Sequence, residues 1–331
     1  MGQASEKFSS NLPTIPPLDP ARVSLIEKHA MGGDCLNTGC VPSKALIRSA
    51  KAADTLRHAN RYGLESVPVK GSFKTIMNRV KDVIAKVEPH DSPERYRKLG
   101  VDCIAGEASF VSPWELEVRH NDGRTERLTA RSIVVATGGK PAVPPIPGLK
   151  DMQPLTSDNL WELEEQPERL LVLGGGPIGS ELAHAFARLG SKVTQVEMGE
   201  RLLAKEDEDV SELVLKQFQA DGVDVRLKHS AAEFRIEEGE KVAYCEHEGE
   251  RVRIPFDQVL VAVGRAANTA GLNLDRIGVD TLPNGTVPVE EDMSLRYPNV
   301  FACGDVAGPY QFTHAAAHQA WYAAVNGLFG Q

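Results

Sequence analysis

One stretch of the sequence, RLLVLGGGPIGSELAHAFARLGSKVTQVEMGE from Arg169 to Glu200, constrains the fold of this chain more than any other. An apolar strand pattern ends in a glycine turn, and a helix pattern and a second strand pattern follow. Gly174, Gly176 and Gly179 stand where a dinucleotide-binding fold needs a tight turn, close backbone approach to a pyrophosphate, and close helix packing. Ile178 lies in the first turn of that helix. The segment therefore predicts a βαβ unit that binds a nicotinamide dinucleotide.

The type of nicotinamide cofactor depends on an acidic residue at the end of the second strand. Glu197 follows the glycine turn by roughly 20 residues, where a carboxylate can accept hydrogen bonds from the adenosine ribose. The same carboxylate would repel a 2'-phosphate, so we expect NADH to be preferred over NADPH. Arg201 lies nearby, and it keeps NADPH open as the alternative.

Composition excludes several other classes of protein. With 331 residues, the chain is long enough for two domains of ordinary size. A formal net charge of -9 disfavours nucleic acid and anionic membrane surfaces as partners. No run approaches the roughly 18 to 20 apolar residues of a membrane span, and no apolar block of a signal peptide begins the chain. These features predict a cytoplasmic protein.

The second strong motif is GGDCLNTGCVPSKAL, which places Cys35 and Cys40 just ahead of a helix predicted over Pro42 to Ala59. The five cysteines are too few and too scattered for a secreted disulfide framework. A zinc site is disfavoured because no second pair lies at matching spacing, so we expect no metal. A helix N-terminus stabilises a thiolate at Cys40. The pair can therefore cycle between disulfide and dithiol.

A nicotinamide site and a thiol pair in one chain suggest electron transfer, for which a flavin is the usual mediator. The segments GGDCLNTGCVPSKAL, ATGGKPAVPPIPG, GGGPIGSELA, VAVGRAAN and FACGDVAG occur in this order. Together they resemble the pyridine nucleotide-disulfide oxidoreductases, which include dihydrolipoamide dehydrogenase, glutathione reductase and mercuric reductase. The resemblance covers nearly everything from Arg22 to Gly330.

This resemblance implies an α/β fold of two Rossmann-like domains, with the NAD(P)-binding domain inserted into the FAD-binding domain. Residues 1–21 form an atypical Pro-rich N-terminal segment, and residues 22–148 the first part of the FAD domain with the redox cysteines. Residues 149–267 form the NAD(P) domain, and residues 268–331 the second part of the FAD domain.

The resemblance also implies roles for residues around the thiols. Cys35 matches the interchange thiol that attacks substrate, and Cys40 the thiol beside the flavin. Lys44 matches a lysine near flavin N5 that pairs with a glutamate at the position of Glu181. The simpler reading of these two residues is a surface lysine and a helix-cap carboxylate.

Further positions match residues that bind the cofactors in the family. Glu27 matches the acid on the FAD ribose, and Asp305 the carboxylate on the flavin ribityl chain. The helix start from Thr313 to Ala315 matches the one beneath the isoalloxazine. The full set of additional cofactor contacts is Glu27, Gly33, Ala136, Thr137, Gly138, Gly264, Arg265, Gly304, Asp305, Thr313, His314 and Ala315. We expect Cys103, Cys245 and Cys303 to be ordinary buried thiols.

Two departures from the family pattern qualify the expected activity. The family's FAD glycine loop should precede Glu27, yet no glycine stands between Gly2 and Gly32, and four prolines lie in that interval. The family's C-terminal interface domain, which supplies the dimer contact and a catalytic His-Glu pair, has no counterpart here. We therefore expect a fragment or altered product of a complete enzyme, with weak FAD binding and doubtful homodimer formation.

The function implied is an FAD-dependent oxidoreductase that passes electrons from NADH through FAD to a Cys35–Cys40 disulfide. Its substrate would be a small-molecule or protein disulfide, or Hg(II). The alternative is a catalytically incomplete fragment that binds NAD or senses redox state. Flavin content separates the two hypotheses.

Overall fold

The computed structural model describes residues 21–330. The predicted Pro-rich N-terminal segment lies outside these residues, apart from Ala21. The α-helices of the described part are α1 Gly33–Asn37, α2 Cys40–Arg57, α3 Phe73–Val87, α4 Pro93–Lys98, α5 Pro177–Leu189, α6 Glu208–Ala220 and α7 Thr313–Phe329. Within residues 21–330, no helix combines the length and apolar character that a membrane span requires.

Strands alternate with these helices along the chain. In the first half they are β1 Val23–Glu27, β2 Val101–Ser112, β3 Glu115–His120, β4 Thr125–Thr129, β5 Ile133–Val135, β6 Gly139–Pro141, β7 Arg169–Leu173 and β8 Lys192–Val196. In the second half they are β9 Asp224–Arg226, β10 Ser230–Glu237, β11 Glu240–His247, β12 Glu250–Phe256, β13 Gln258–Val261, β14 Arg265–Ala267 and β15 Val300–Ala302.

These strands form parallel and mixed sheets, so the predicted α/β class is confirmed. One sheet has the order β13-β7-β8-β9 and is parallel throughout. A second has the order β1-β2-β3-β4, with β1 and β2 parallel and the rest antiparallel. The strands β10-β11-β12 form an antiparallel sheet, β14 pairs with β6, and β15 pairs with β5 in parallel. The domain boundaries given above stay a prediction.

Helix α2, which begins at the second cysteine, packs against helix α5, which follows the glycine turn. Leu46 and Ala50 of α2 share a buried cluster with Leu182 and Phe186 of α5. Phe73 at the start of α3 adds a ring contact to Phe186, with 5.7 Å between centroids. Apolar burial of this kind fixes the two helices relative to each other.

The structure differs from the sequence prediction in two helices. Helix α2 begins at Cys40 rather than Pro42, because the Gly39 backbone leaves helical geometry just before it. The preceding short helix α1, which carries Cys35, was not predicted.

The packing between α2 and α5 predicts a strong effect on stability. Phe186 is fully buried, so Phe186→Ala should lower the free energy of unfolding by about 3–5 kcal/mol through lost burial and a new cavity. Leu213→Ala on α6 removes a side chain that is 69% exposed, and it should change stability by less than about 0.5 kcal/mol. Urea unfolding of both variants measures the difference, and equal losses would contradict the prediction.

Candidate active site

The glycine turn between β7 and α5 has the geometry that the sequence predicted. Gly174 has a φ of 108°, and a Cβ there would lie 2.3 Å from the Ala262 carbonyl oxygen. A Cβ on Gly179 would lie 2.3 Å from the Gly174 carbonyl oxygen, which explains the close helix packing. Open space faces Gly176, the N-cap of α5. The free N–H groups of this helix start are suited to an anion such as a pyrophosphate.

Glu197 lies next to this turn, immediately after β8. Its Oε2 accepts a hydrogen bond from Gly175 N at 2.5 Å, and its Oε1 accepts one from Gly199 N at 2.7 Å. The backbone thus fixes the carboxylate, and each oxygen keeps a further lone pair for a ligand hydroxyl.

Arg201, on which the NADPH alternative depends, already has contacts of its own. Its Nη2 donates to the Ala204 carbonyl at 3.0 Å, and its Nη1 lies 3.9 Å from Glu208. Arg201 and Glu197 line the same cavity. A phosphate entering here would meet the fixed Glu197 carboxylate as well as the guanidinium, so charge repulsion persists beside Arg201.

The two thiols lie in consecutive helices, Cys35 within α1 and Cys40 at the start of α2. The loop between them is tight, because the Asp34 carbonyl accepts from both Thr38 N at 2.9 Å and Gly39 N at 2.5 Å. A Cβ on Gly39 would lie 2.8 Å from that carbonyl oxygen, so glycine is required there. Cys40 is the first residue of α2, and its Sγ lies 3.3 Å from the Thr313 hydroxyl at the start of α7.

The thiol of Cys35 is disfavoured from ionising by its surroundings. Burial raises the pKa of Cys35 to about 11, and the hydrogen bond and charge of Cys40 add to this shift. The hydrogen bond from Thr313 acts in the opposite direction. The negative charge of one thiolate disfavours a second thiolate beside it. A pair with one thiol and one thiolate is therefore more favourable than a pair of two thiolates.

Lys44 and Glu181 meet as the resemblance implied. Lys44 Nζ lies 2.7 Å from Glu181 Oε1 and 2.6 Å from Oε2. Both side chains are partly exposed and line the cavity between α2 and α5. The contact is present; a role for it in chemistry stays a prediction.

On the far side of the thiols, Arg265 joins two acidic residues. Its guanidinium donates to Asp305 Oδ2 at 2.6 Å, to the Gly139 carbonyl at 2.9 Å, and to the Asp34 carboxylate. The side chains of Arg265 and Asp305 are both largely buried, whereas Asp34 is half exposed, so only the pair with Asp305 is shielded from bulk water. Asp34 directly precedes Cys35, and the contact therefore ties the redox loop to the β15 end of the molecule.

Other predicted flavin contacts surround the same space. Glu27 Oε1 accepts from His29 N at 2.8 Å at the end of β1. The Thr137 hydroxyl donates to the Asn268 carbonyl at 2.7 Å, and Asn268 N donates to the Gly138 carbonyl at 2.9 Å.

A single cavity of about 3450 Å³ collects nearly every predicted site residue. Its lining includes Glu27, Gly33, Cys35, Cys40, Lys44, Ala136, Thr137, Gly138, Gly174, Gly176, Ile178, Glu181, Glu197, Gly264, Arg265, Gly304, Asp305, Thr313 and His314. Gly179 lies behind the wall in its packing position. Ala315 does not line this cavity, and its role as a cofactor contact stays a prediction.

Two residues near the site were not found from the sequence. The Trp161 indole donates to the Thr38 carbonyl at 3.0 Å and to the Ser157 carbonyl at 2.7 Å, which anchors the loop between the cysteines. His229 lines the cavity beside Glu197. Neither belongs to a motif, and the site residues that they contact, Thr38 and Glu197, are more than thirty residues away in the chain, so only the fold could reveal them.

The remaining cysteines differ in burial. Cys245 and Cys303 are buried as predicted, and burial raises the pKa of Cys245 to about 11. Cys103 is only half-buried, because it lies on β2 near the surface. Among residues 21–330, no three His, Cys, Asp or Glu side chains are grouped so as to hold a metal ion.

A glycine turn of the dinucleotide-binding type and a pair of thiols open into one cavity. The chain belongs to the pyridine nucleotide-disulphide oxidoreductase family, whose profile matches residues 2–320. The resemblance drawn from the motifs is thereby confirmed.

Individual relatives support this assignment. Dihydrolipoyl dehydrogenase from Bacillus subtilis is 34% identical over 304 residues, which are 91% of this chain and 65% of that protein. Mercuric reductase from Acidithiobacillus ferrooxidans is 36% identical over 320 residues, 94% of this chain and 56% of the relative. The chain therefore spans less than two thirds of either curated relative.

Solved structures agree. The HOCl-induced flavoprotein disulfide reductase RclA from Escherichia coli matches with a TM-score of 0.80 at 29% identity, over 94% of this chain and 66% of that one. LpdA from Mycobacterium tuberculosis matches with a TM-score of 0.85 at 26% identity, over 95% of this chain and 68% of that one.

The contacts of Cys35 predict opposite effects of two substitutions on its reactivity. Cys40→Ala removes a neighbour that raises the Cys35 pKa, so iodoacetamide should modify Cys35 about threefold to tenfold faster at pH 8.5. Thr313→Val removes a hydrogen bond that lowers the pKa, so modification of Cys35 should slow. Peptide mass spectrometry of the reduced chain follows both rates. Changes of the same sign in the two variants would contradict the arrangement.

Proposed function

We propose that this chain is the electron-transfer core of an NADH-dependent disulfide reductase that uses FAD and a Cys35–Cys40 redox pair. The observation that carries the proposal is that the dinucleotide turn at Gly176 and both thiols line one cavity. The domain boundaries stated above, a cytoplasmic location and a homodimer in the longer family members form part of the same proposal.

The residues of the cavity fit a flavin. Its volume of about 3450 Å³ exceeds the roughly 300–1,000 Å³ of a typical small-ligand pocket, so it can admit two dinucleotides. Asp305 and Glu27 would hold the ribityl and ribose hydroxyls, and Thr313 would lie at the isoalloxazine end beside Cys40. The segment expected to contact the pyrophosphate precedes β1 and lies outside the described residues. When bound, FAD supplies a two-electron relay between the nicotinamide and the disulfide.

The thiols perform the exchange with substrate. A Cys35 thiolate attacks one sulfur of a substrate disulfide, forms a mixed disulfide and releases the other half as a thiolate. Cys40 then attacks Cys35 Sγ, which restores the internal disulfide and releases the second thiol. Burial raises the pKa of Cys35 to about 11, so its proton must be removed before the sulfur can attack.

The cationic Lys44 and the helix start at Cys40 would stabilise negative charge near that thiol. Glu181 orients the lysine through its two short contacts. For substrates, we propose a small-molecule or protein disulfide, with Hg(II) as the alternative, since relatives named dihydrolipoyl dehydrogenase and mercuric reductase match comparably well. The competing proposal is an NAD-binding or redox-sensing module without catalysis.

NADH preference is expected to depend on Glu197. In Glu197→Gln the side chain keeps its shape but loses its charge, so NADH affinity should fall about tenfold through the weakened ribose contact. NADPH affinity should fall less or rise, because phosphate repulsion is removed. Calorimetric titration with both nucleotides tests this; tighter NADPH binding by the unmodified chain would overturn the assignment.

Flavin-dependent turnover separates the reductase from the binding module. The purified chain, incubated with FAD and passed through gel filtration, should reduce 5,5'-dithiobis(2-nitrobenzoate) with NADH in proportion to bound flavin. Cys35→Ser should abolish this reduction while keeping NADH binding, and Cys103→Ser should leave it intact. NADH binding with neither flavin nor turnover would favour the binding module instead.

A further inference from the structure

Beyond β9 the chain runs beside the residues that follow β8, and this places a histidine next to Glu197. His229 N donates to the Glu197 carbonyl at 3.0 Å, and Lys228 N donates to the Gly199 carbonyl at 2.9 Å. Both His229 and Glu197 line the cavity. His229 therefore lies beside Glu197, on the neighbouring segment of the chain.

The ring of His229 is held in one orientation. It stacks on His247 with 4.1 Å between centroids and 11° between planes. Its Nδ1 lies 2.7 Å from the Leu227 carbonyl, and His247 Nδ1 lies 3.1 Å from the Lys228 carbonyl. A carbonyl oxygen only accepts hydrogen bonds, so Nδ1 of each ring carries the proton. In the neutral ring, Nε2 of His229 is then an acceptor.

This acceptor has no hydrogen-bond donor among the described residues, although His229 is only 6% exposed. Nε2 is not one of the fully buried side-chain atoms without a partner, so it keeps access to the cavity that His229 lines, and a ligand there can donate to it. Because the residue lines the cavity at the nucleotide end, the missing donor is one that a nucleotide can supply.

We propose that His229 Nε2 accepts a hydrogen bond from the 6-amino group of adenine, which makes His229 a base-specificity residue of the nicotinamide nucleotide site. The inference rests on the proposed nucleotide function. The phosphates of NADH only accept hydrogen bonds, and its ribose hydroxyls would be engaged at Glu197. The adenine amino group is the remaining donor at this end of the molecule.

Neighbouring side chains agree with a flat base at this position. Met198 directly follows Glu197, is 71% exposed and lines the cavity, so its thioether is accessible to an aromatic ligand. The Ser230 hydroxyl lies 3.6 Å from Met198 Sδ, which holds the methionine over the residue after His229.

Replacing the adenine amino group by an oxygen tests the contact. Reduced nicotinamide hypoxanthine dinucleotide presents a 6-oxo acceptor to Nε2, so the full chain should bind it about fivefold to tenfold more weakly than NADH. In His229→Phe, which keeps a flat ring, NADH affinity should fall about fivefold and this preference should vanish. In His229→Gln the amide can accept or donate, so the preference should vanish while NADH affinity is nearly kept.

The test compares the affinities of two dinucleotides for the same variant. A change in the stability of that variant affects both affinities equally and leaves their ratio unchanged. His120→Phe on β3, outside the cavity, should keep the full preference for adenine. Equal binding of both dinucleotides by the unmodified chain, or a preference that survives in His229→Phe, would overturn the role of His229. Failure of NADH to bind, or insensitivity to Glu197→Gln, would instead overturn the nucleotide site itself.

Discussion

The packing of helix α2 on helix α5 is the constraint on which the site depends. Leu46 and Ala50 meet Leu182 and Phe186 in one buried cluster, and Lys44 pairs with Glu181 at the end of the contact near both helix starts. The two helix N-termini therefore open towards the same cavity. A thiol at one start and a dinucleotide turn at the other come within one site because the apolar faces of these helices fit together.

The thiol loop is held from both sides by segments that flank the nucleotide-binding part of the chain. Trp161, before β7, donates to the Thr38 carbonyl, and Arg265, after β13, pairs with Asp34. Through Asp305, the same arginine reaches the turn after β15. Any displacement of the nucleotide-binding part would therefore change the position of Cys35 as well as that of the glycine turn.

The groups around Cys35 have opposing effects on the ionisation of its thiol, and this balance suits thiol exchange. Burial and Cys40 keep Cys35 protonated, while Thr313 favours its ionised form. The hydroxyl of Thr313 also lies beside Cys40. One side chain at the start of α7 therefore influences both sulfur atoms, and the balance between the two protonation states depends on three elements brought together by the fold.

The sequence by itself determined the glycine turn, the acid at Glu197, the cysteine pair and the α/β class, because each is a local pattern with a fixed chemical requirement. The resemblance implied a helix start at Thr313, and α7 begins there. The family resemblance added Lys44 with Glu181, which the fold brings into contact. Only the tertiary structure placed Trp161 at the thiol loop, joined Asp34 to Arg265, excluded Ala315 from the cavity lining and set His229 beside Glu197. These contacts link residues far apart in the chain, and tertiary packing rather than local propensity determines them.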